Sequence, residues 1–179
     1  MMDIEDPPIF LIGYRGTGKT TLAQELAARL GRDWIDADDV VEARAGKTIA
    51  AIFAEDGEAA FRDLEAQAVA ELCGRTRTVV GLGGGAVLRE ESRRAIQAAG
   101  PIVWLTASVE TIQARMATDT TTAARRPNLT NAGGRIEIEK VLAERTPIYR
   151  ACATFVVDTE GKEPSEVADE IVAQLKAIT

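Results

Sequence analysis

Eight consecutive residues near one end of the chain, Gly13-Tyr14-Arg15-Gly16-Thr17-Gly18-Lys19-Thr20, fit the pattern G-x-x-x-x-G-K-[ST]. The chemistry this spacing serves is the capture of a nucleotide's phosphates. Glycines let the backbone fold tightly enough to aim several N–H groups at one anion. A helix beginning near Lys19 would add its positive dipole end. Lys19 would then reach the outer phosphates, and the Thr20 hydroxyl would ligate Mg2+. Gly16, Thr17, Gly18, Lys19, Thr20 and Thr21 are therefore the candidate nucleotide-binding residues.

What the chain lacks narrows the chemistry further. It has no histidine, so Ser-His-Asp and Cys-His catalysis and histidine metal sites are excluded. A general base must be a carboxylate, Lys, Tyr or water. The formal net charge is −7 and the pI about 4.8, without the basic footprint of a duplex nucleic-acid binder. An acidic protein that binds phosphates must use local devices, namely backbone N–H groups and a few placed arginines. Cys73 and Cys152 are far apart with no CxxC spacing, which reads as buried free thiols in a reducing cytosol. No signal-like segment or apolar run near 18 residues is present, so membrane spanning and secretion are not expected and a cytoplasmic location is.

The elements that must position these residues alternate along the chain. Pro8–Gly13 is a short apolar run stopping at glycine and reads as a buried strand. Leu22, Leu26 and Leu30 with Ala23 and Ala27 form one helical face, with Gly31 as C-cap. Asp33–Asp36 fits a second strand, Thr78–Leu82 a third, Ile102–Leu105 a fourth and Thr154–Val157 a fifth. Helices are expected over Thr48–Phe53, Glu58–Cys73, Glu90–Ala99, from an N-cap at Ser108, over Ile136–Arg145 and from Pro164 toward Ile178. Thr118–Gly134 has no apolar period; a loop this long is expected to be a functional lid or disordered. Strands alternating with helices predict an α/β fold with a parallel sheet covered on both faces. At 179 residues with 46% apolar content, the chain predicts one domain with a sizeable core.

Within the P-loop class, motors and GTPases usually carry an apolar strand ending in an acid, and a guanine-specific N-K-x-D. The strand Thr78–Leu82 leads into Gly83, Ile102–Leu105 runs into Thr106, and no N-K-x-D occurs. The acid closing an apolar step is Asp36. This favours a small-molecule kinase, with its second substrate above the carboxyl edge of the sheet.

Further short motifs follow in order: Asp36-Ala37-Asp38, Phe61-Arg62-Asp63-Leu64-Glu65, Gly83-Gly84-Gly85-Ala86-Val87, Arg126-Pro127 and Arg145-Thr146-Pro147-Ile148-Tyr149. Together with the phosphate loop, their order and spacing resemble shikimate kinase from about Ile9 to Pro164. The resemblance implies a three-layer P-loop kinase fold of the NMP-kinase type, a five-stranded parallel sheet of order 2-3-1-4-5 and a mobile lid over about 117–132. It implies transfer of the ATP γ-phosphoryl group to the 3-hydroxyl of shikimate, with Mg2+ as cofactor. It assigns catalysis to Lys19, Asp38 and Arg126, and the metal to Thr20 and Asp36. The acceptor falls to Asp38, Arg62, Gly83, Gly84, Gly85 and Arg145, within a substrate region that includes about 36–62. Arg115, Arg126 and Lys162 join the ATP contacts, and Glu65 matches a glutamate near the acceptor arginines. Guanidinium forks at Arg62 and Arg145 suit the acceptor's carboxylate.

Three positions depart from the family pattern: Asn128 after the lid Arg-Pro, a second lid arginine at Arg125, and Arg15 inside the phosphate loop. Blander readings stand beside the catalytic one. Arg62 and Glu65 at i, i+3 could simply pair with each other, and Arg145 on an apolar face could be a structural ion pair. The rivals for the whole are another small-molecule kinase, such as a gluconate kinase, and a non-catalytic nucleotide-binding module. A monomer acting on ATP and shikimate, with no nucleic-acid or membrane partner, is the expectation.

Overall fold

The computed structural model describes residues 6–119 and 133–179, so Arg125, Arg126 and most of the expected lid lie outside the described residues. Five parallel strands form one sheet in the order β2-β3-β1-β4-β5, as the resemblance implied. They are β1 (Ile9–Ile12), β2 (Asp33–Asp36), β3 (Thr78–Gly81), β4 (Ile102–Thr106) and β5 (Phe155–Asp158). The helices are α1 (Lys19–Leu30), α2 (Ala37–Ala45), α3 (Ile49–Glu55), α4 (Glu58–Leu72), α5 (Glu90–Ala99), α6 (Val109–Thr118), α7 (Gly134–Cys152) and α8 (Pro164–Ile178).

The period-2 geometry of the strands divides the core into two layers. Ile9, Leu11, Val79, Val103 and Leu105 face one way and pack on Leu22 and Leu26 of α1 and Val167 and Ile171 of α8. Phe10, Ile12, Val80, Ile102 and Trp104 face the other way, onto Val69 and Leu72 of α4, Ile96 of α5 and Tyr149 of α7. Strands buried on both faces need near-continuous apolar runs, which is what the central strands carry. A smaller cluster of Tyr14, Ile112, Ile138 and Val141 fastens the phosphate loop to α6 and α7. Among the described residues, no helix is long and apolar enough to cross a membrane.

Two helices differ from the expectation. α2 was not delimited in the sequence because its apolar periodicity is weak; a cap starts it, with the Asp36 side chain accepting from the Asp38 N–H. α7 runs well past the expected end at Arg145, through Pro147. Proline inside a helix removes one hydrogen bond and crowds the carbonyl four residues back. Here Pro147 and Ala143 are both exposed, so the freed carbonyl lies on the solvent side. That extension carries Tyr149 into the core.

Because all strands run the same way, their carboxyl ends share one edge. The phosphate loop leaves β1, Asp36 closes β2, the glycine run follows β3, and Thr159–Lys162 follow β5. The order reverses direction beside β1, which is where open α/β sheets hold their ligands.

Candidate active site

A cavity of about 750 Å3 opens at this edge, a volume suited to small molecules. Gly16 to Thr21 line one part of it; Asp36, Asp38, Arg62, Gly83, Gly84, Gly85 and Arg145 line another. Arg115 and Lys162 border the same cavity. Every candidate within the described residues thus meets in one space; Arg126 lies outside them.

The phosphate loop is held from within and from below. Gly13 has φ +143°, and a Cβ there would sit 2.6 Å from the Leu105 carbonyl oxygen, so only glycine permits this turn against β4. Thr17 is buried; its hydroxyl donates to the Tyr14 carbonyl at 2.7 Å. Lys19 Nζ donates to the carbonyls of Gly13 at 2.6 Å and Tyr14 at 3.0 Å, which lays the ammonium across the loop. Gly18, at φ 87°, caps α1 without a side chain, leaving the first-turn N–H groups directed at the cavity. Arg115 bridges the loop to the segment after β5, donating to the Gly16 carbonyl at 3.3 Å and to the Thr159 hydroxyl at 3.1 Å. Lys162 is paired with Glu170 at 2.8 Å while it borders the cavity.

Beside the loop, the Thr20 hydroxyl donates to Asp36 Oδ2 at 3.2 Å, and Asp36 Oδ1 accepts from the Asp38 N–H at 2.9 Å. Hydroxyl and carboxylate oxygens therefore converge beside the phosphate loop. Among the described residues no group of three or more His, Cys, Asp or Glu could hold a metal. That sparse oxygen set fits Mg2+, which keeps waters and phosphates as most of its ligands, and does not fit an all-protein metal cage.

Beside the glycine run the cavity carries two arginines from different helices. Arg62, on the first part of α4, is nearly buried and donates to Glu65 at 2.7 Å, with Glu58 3.6 Å away. The i, i+3 pair considered in the sequence does form, and Arg62 still lines the cavity. A side chain on Gly85 would collide with the Arg62 guanidinium, so the glycine run is what admits this arginine. Arg145, also nearly buried, comes from α7 on the other side of the run.

Two contributors were not singled out by their own sequence signal. Glu137, in the first turn of α7, is buried and pairs with Arg15 of the phosphate loop at 3.2 Å. Tyr149 donates its hydroxyl to the Gly84 carbonyl at 2.6 Å. Their clue was periodicity: Glu137, Val141, Arg145 and Tyr149 recur every four residues and are all buried. Arg15, noted in the sequence as a departure, has its account here as the partner of a buried carboxylate.

Sheet order, phosphate loop and cavity together define a P-loop phosphotransferase with a compact acceptor subsite. The shikimate kinase family model matches residues 15–176. A shikimate kinase of Rhodopirellula baltica is 43% identical over 170 residues, spanning 95% of this chain and 91% of that relative. Among solved structures, the shikimate kinase from Acinetobacter baumannii in complex with shikimate superposes with a TM-score of 0.90 at 31% identity, covering 98% of this chain and 96% of that one. A gluconokinase from Sinorhizobium meliloti reaches 0.59 at 16% identity, a likeness of fold alone. The chain belongs to the shikimate kinase family.

Proposed function

We propose that the protein transfers the γ-phosphoryl group of ATP to the 3-hydroxyl of shikimate, giving shikimate 3-phosphate and ADP. The observation that carries this reading is the meeting of Arg62, Arg145 and the glycine run in the same cavity as the phosphate loop. Two guanidinium groups set against side-chain-free backbone suit a small ring bearing one carboxylate. Asp38, in the first turn of α2, lines the same cavity, and on this reading it accepts the ring hydroxyls.

Phosphoryl transfer leaves little covalent work to the protein; positioning and charge stabilisation dominate. Lys19 and the first-turn N–H groups of α1 bind the outer phosphates; the resemblance assigns Arg126, outside the described residues, to the same phosphates. Thr20 and Asp36 would hold Mg2+, which when bound neutralises phosphate charge. Asp38 orients the 3-hydroxyl and takes its proton. Arg115 and Lys162 flank the base-binding end. The same reading takes the chain as a single domain acting as a monomer in the cytoplasm.

An ADP-release assay with shikimate, gluconate, AMP or no acceptor tests this reading. Shikimate alone should give turnover well above the acceptor-free rate. Equal rates with gluconate, or ADP release independent of acceptor, would refute it.

A further inference from the structure

The buried hydroxyl of Tyr149 stands where the two halves of the acceptor wall meet. Its ring is fully enclosed, tilted against Trp104 with centroids 5.8 Å apart. Trp104 belongs to β4, so the ring is fixed by the sheet and by its own helix. The hydroxyl donates to the Gly84 carbonyl at 2.6 Å. A Cβ placed on Gly84 would lie 3.1 Å from Arg145 Nη1 and 3.4 Å from Tyr149 Oη, so arginine, phenol and glycine crowd one point. Arg145 precedes Tyr149 by one helical turn. Burial pushes the phenol pKa above its ordinary value, with the neighbouring Arg145 guanidinium pulling the other way. At neutral pH the group is therefore a neutral O–H donor.

From this geometry we infer that Tyr149 is a positioning residue for the acceptor, holding the Gly84–Gly85 peptide and the Arg145 guanidinium in register through one hydroxyl. The glycine run has no side chains to restrain it, so its amide planes must be fixed by hydrogen bonds. No peptide bond among the described residues is cis. In a trans peptide the C=O and the following N–H point to opposite sides. Fixing the Gly84 carbonyl on the tyrosine therefore fixes the Gly85 N–H on the opposite side of that plane. The Arg145 guanidinium neighbours the phenol oxygen at the same time, which restricts a long side chain that would otherwise sample several rotamers. The Gly13 carbonyl of the phosphate loop also stands 3.3 Å from the point where a Cβ on Gly84 would lie, but the Tyr149 hydroxyl donates to Gly84, so the role is assigned to acceptor binding.

This inference rests on the shikimate kinase reading. The test is Tyr149→Phe, which keeps the ring packing and removes the donor. The expected result is a KM for shikimate raised roughly ten-fold, the scale of one buried carbonyl left unsatisfied. The KM for ATP should stay within about two-fold, and the Tm should fall by roughly a few degrees, because the Gly84 carbonyl loses its donor in the folded protein. Trp104→Phe serves as control, because it loosens the same packing without touching the hydroxyl; it should lower Tm and leave the shikimate KM near wild type. An unchanged shikimate KM in Tyr149→Phe, or an equal rise in Trp104→Phe, overturns the positioning role while leaving the proposed function intact. A wild-type protein that does not phosphorylate shikimate overturns the function, and this role with it.

Discussion

At the scale of single residues, the cavity separates tasks that the sequence leaves clustered. Asp36 and Asp38 are two residues apart, yet one is bound to Thr20 and caps α2 while the other borders the acceptor subsite. On the proposed reaction, Asp38 is the carboxylate that takes the proton of the attacking hydroxyl, in a chain with no histidine. Asp38→Asn keeps shape and one acceptor oxygen but loses proton affinity. Turnover should fall by about 10²–10⁴-fold, the usual span for a general base, with ATP binding retained. Turnover within a few-fold of wild type would mean the proton leaves by water. Gly85 offers a second residue-scale test. An added methyl meets the flexible end of Arg62, so Gly85→Ala should displace the guanidinium rather than the backbone. The shikimate KM should rise while Tm stays near wild type; a large Tm loss with unchanged KM would place the strain in the fold instead.

At the scale of elements, α7 joins the phosphate loop to the glycine run. Its buried stripe meets Arg15 through Glu137, Tyr14 through Ile138 and Val141, and the glycine run through Arg145 and Tyr149. Burying a carboxylate is costly unless it is paired, and the Glu137 side chain is only 2% exposed. Glu137→Ala leaves Arg15 without that carboxylate and should cost about 3 kcal/mol in urea unfolding, the low end for breaking a buried pair. A loss below about 1 kcal/mol would show the pair to be effectively solvated. The strands, the phosphate loop and the helix bounded by Glu90 and Ala99 were legible in the sequence because each rests on local patterning: apolar runs, glycine spacing, a 3.6-residue period. What escaped was long-range. The reach of α7 beyond Pro147 depends on which side of the helix faces water, and the Glu137–Arg15 pair joins residues 122 apart in sequence. The short helix α2 escaped for the opposite reason, since one aspartate cap and little periodicity define it.

At the scale of the whole molecule, burial fixes how stability responds to alkali. Cys152 ends α7 within the core layer that also holds Tyr149 and Trp104. Its surroundings push the thiol pKa up to about 11, chiefly because burial disfavours the thiolate, with Arg93 opposing. Burial raises Cys73 and Tyr149 as well. The sign follows from linkage: when the folded pKa lies above the unfolded one, the unfolded chain releases its proton first. The stability tied to the neutral thiol is thus fully present below the unfolded thiol pKa of ~8.5, and it is lost as pH rises toward 11. Other groups titrate in the same window, so the contribution has to be isolated by difference. Cys152→Ala removes the thiol and adds a packing loss that does not depend on pH. The stability advantage of wild type over Cys152→Ala, from urea unfolding at about pH 8 and again at about pH 10.5, should shrink with rising pH. Were the difference constant across that range, the thiol would titrate alike in both states, and its burial would impose no penalty on the thiolate.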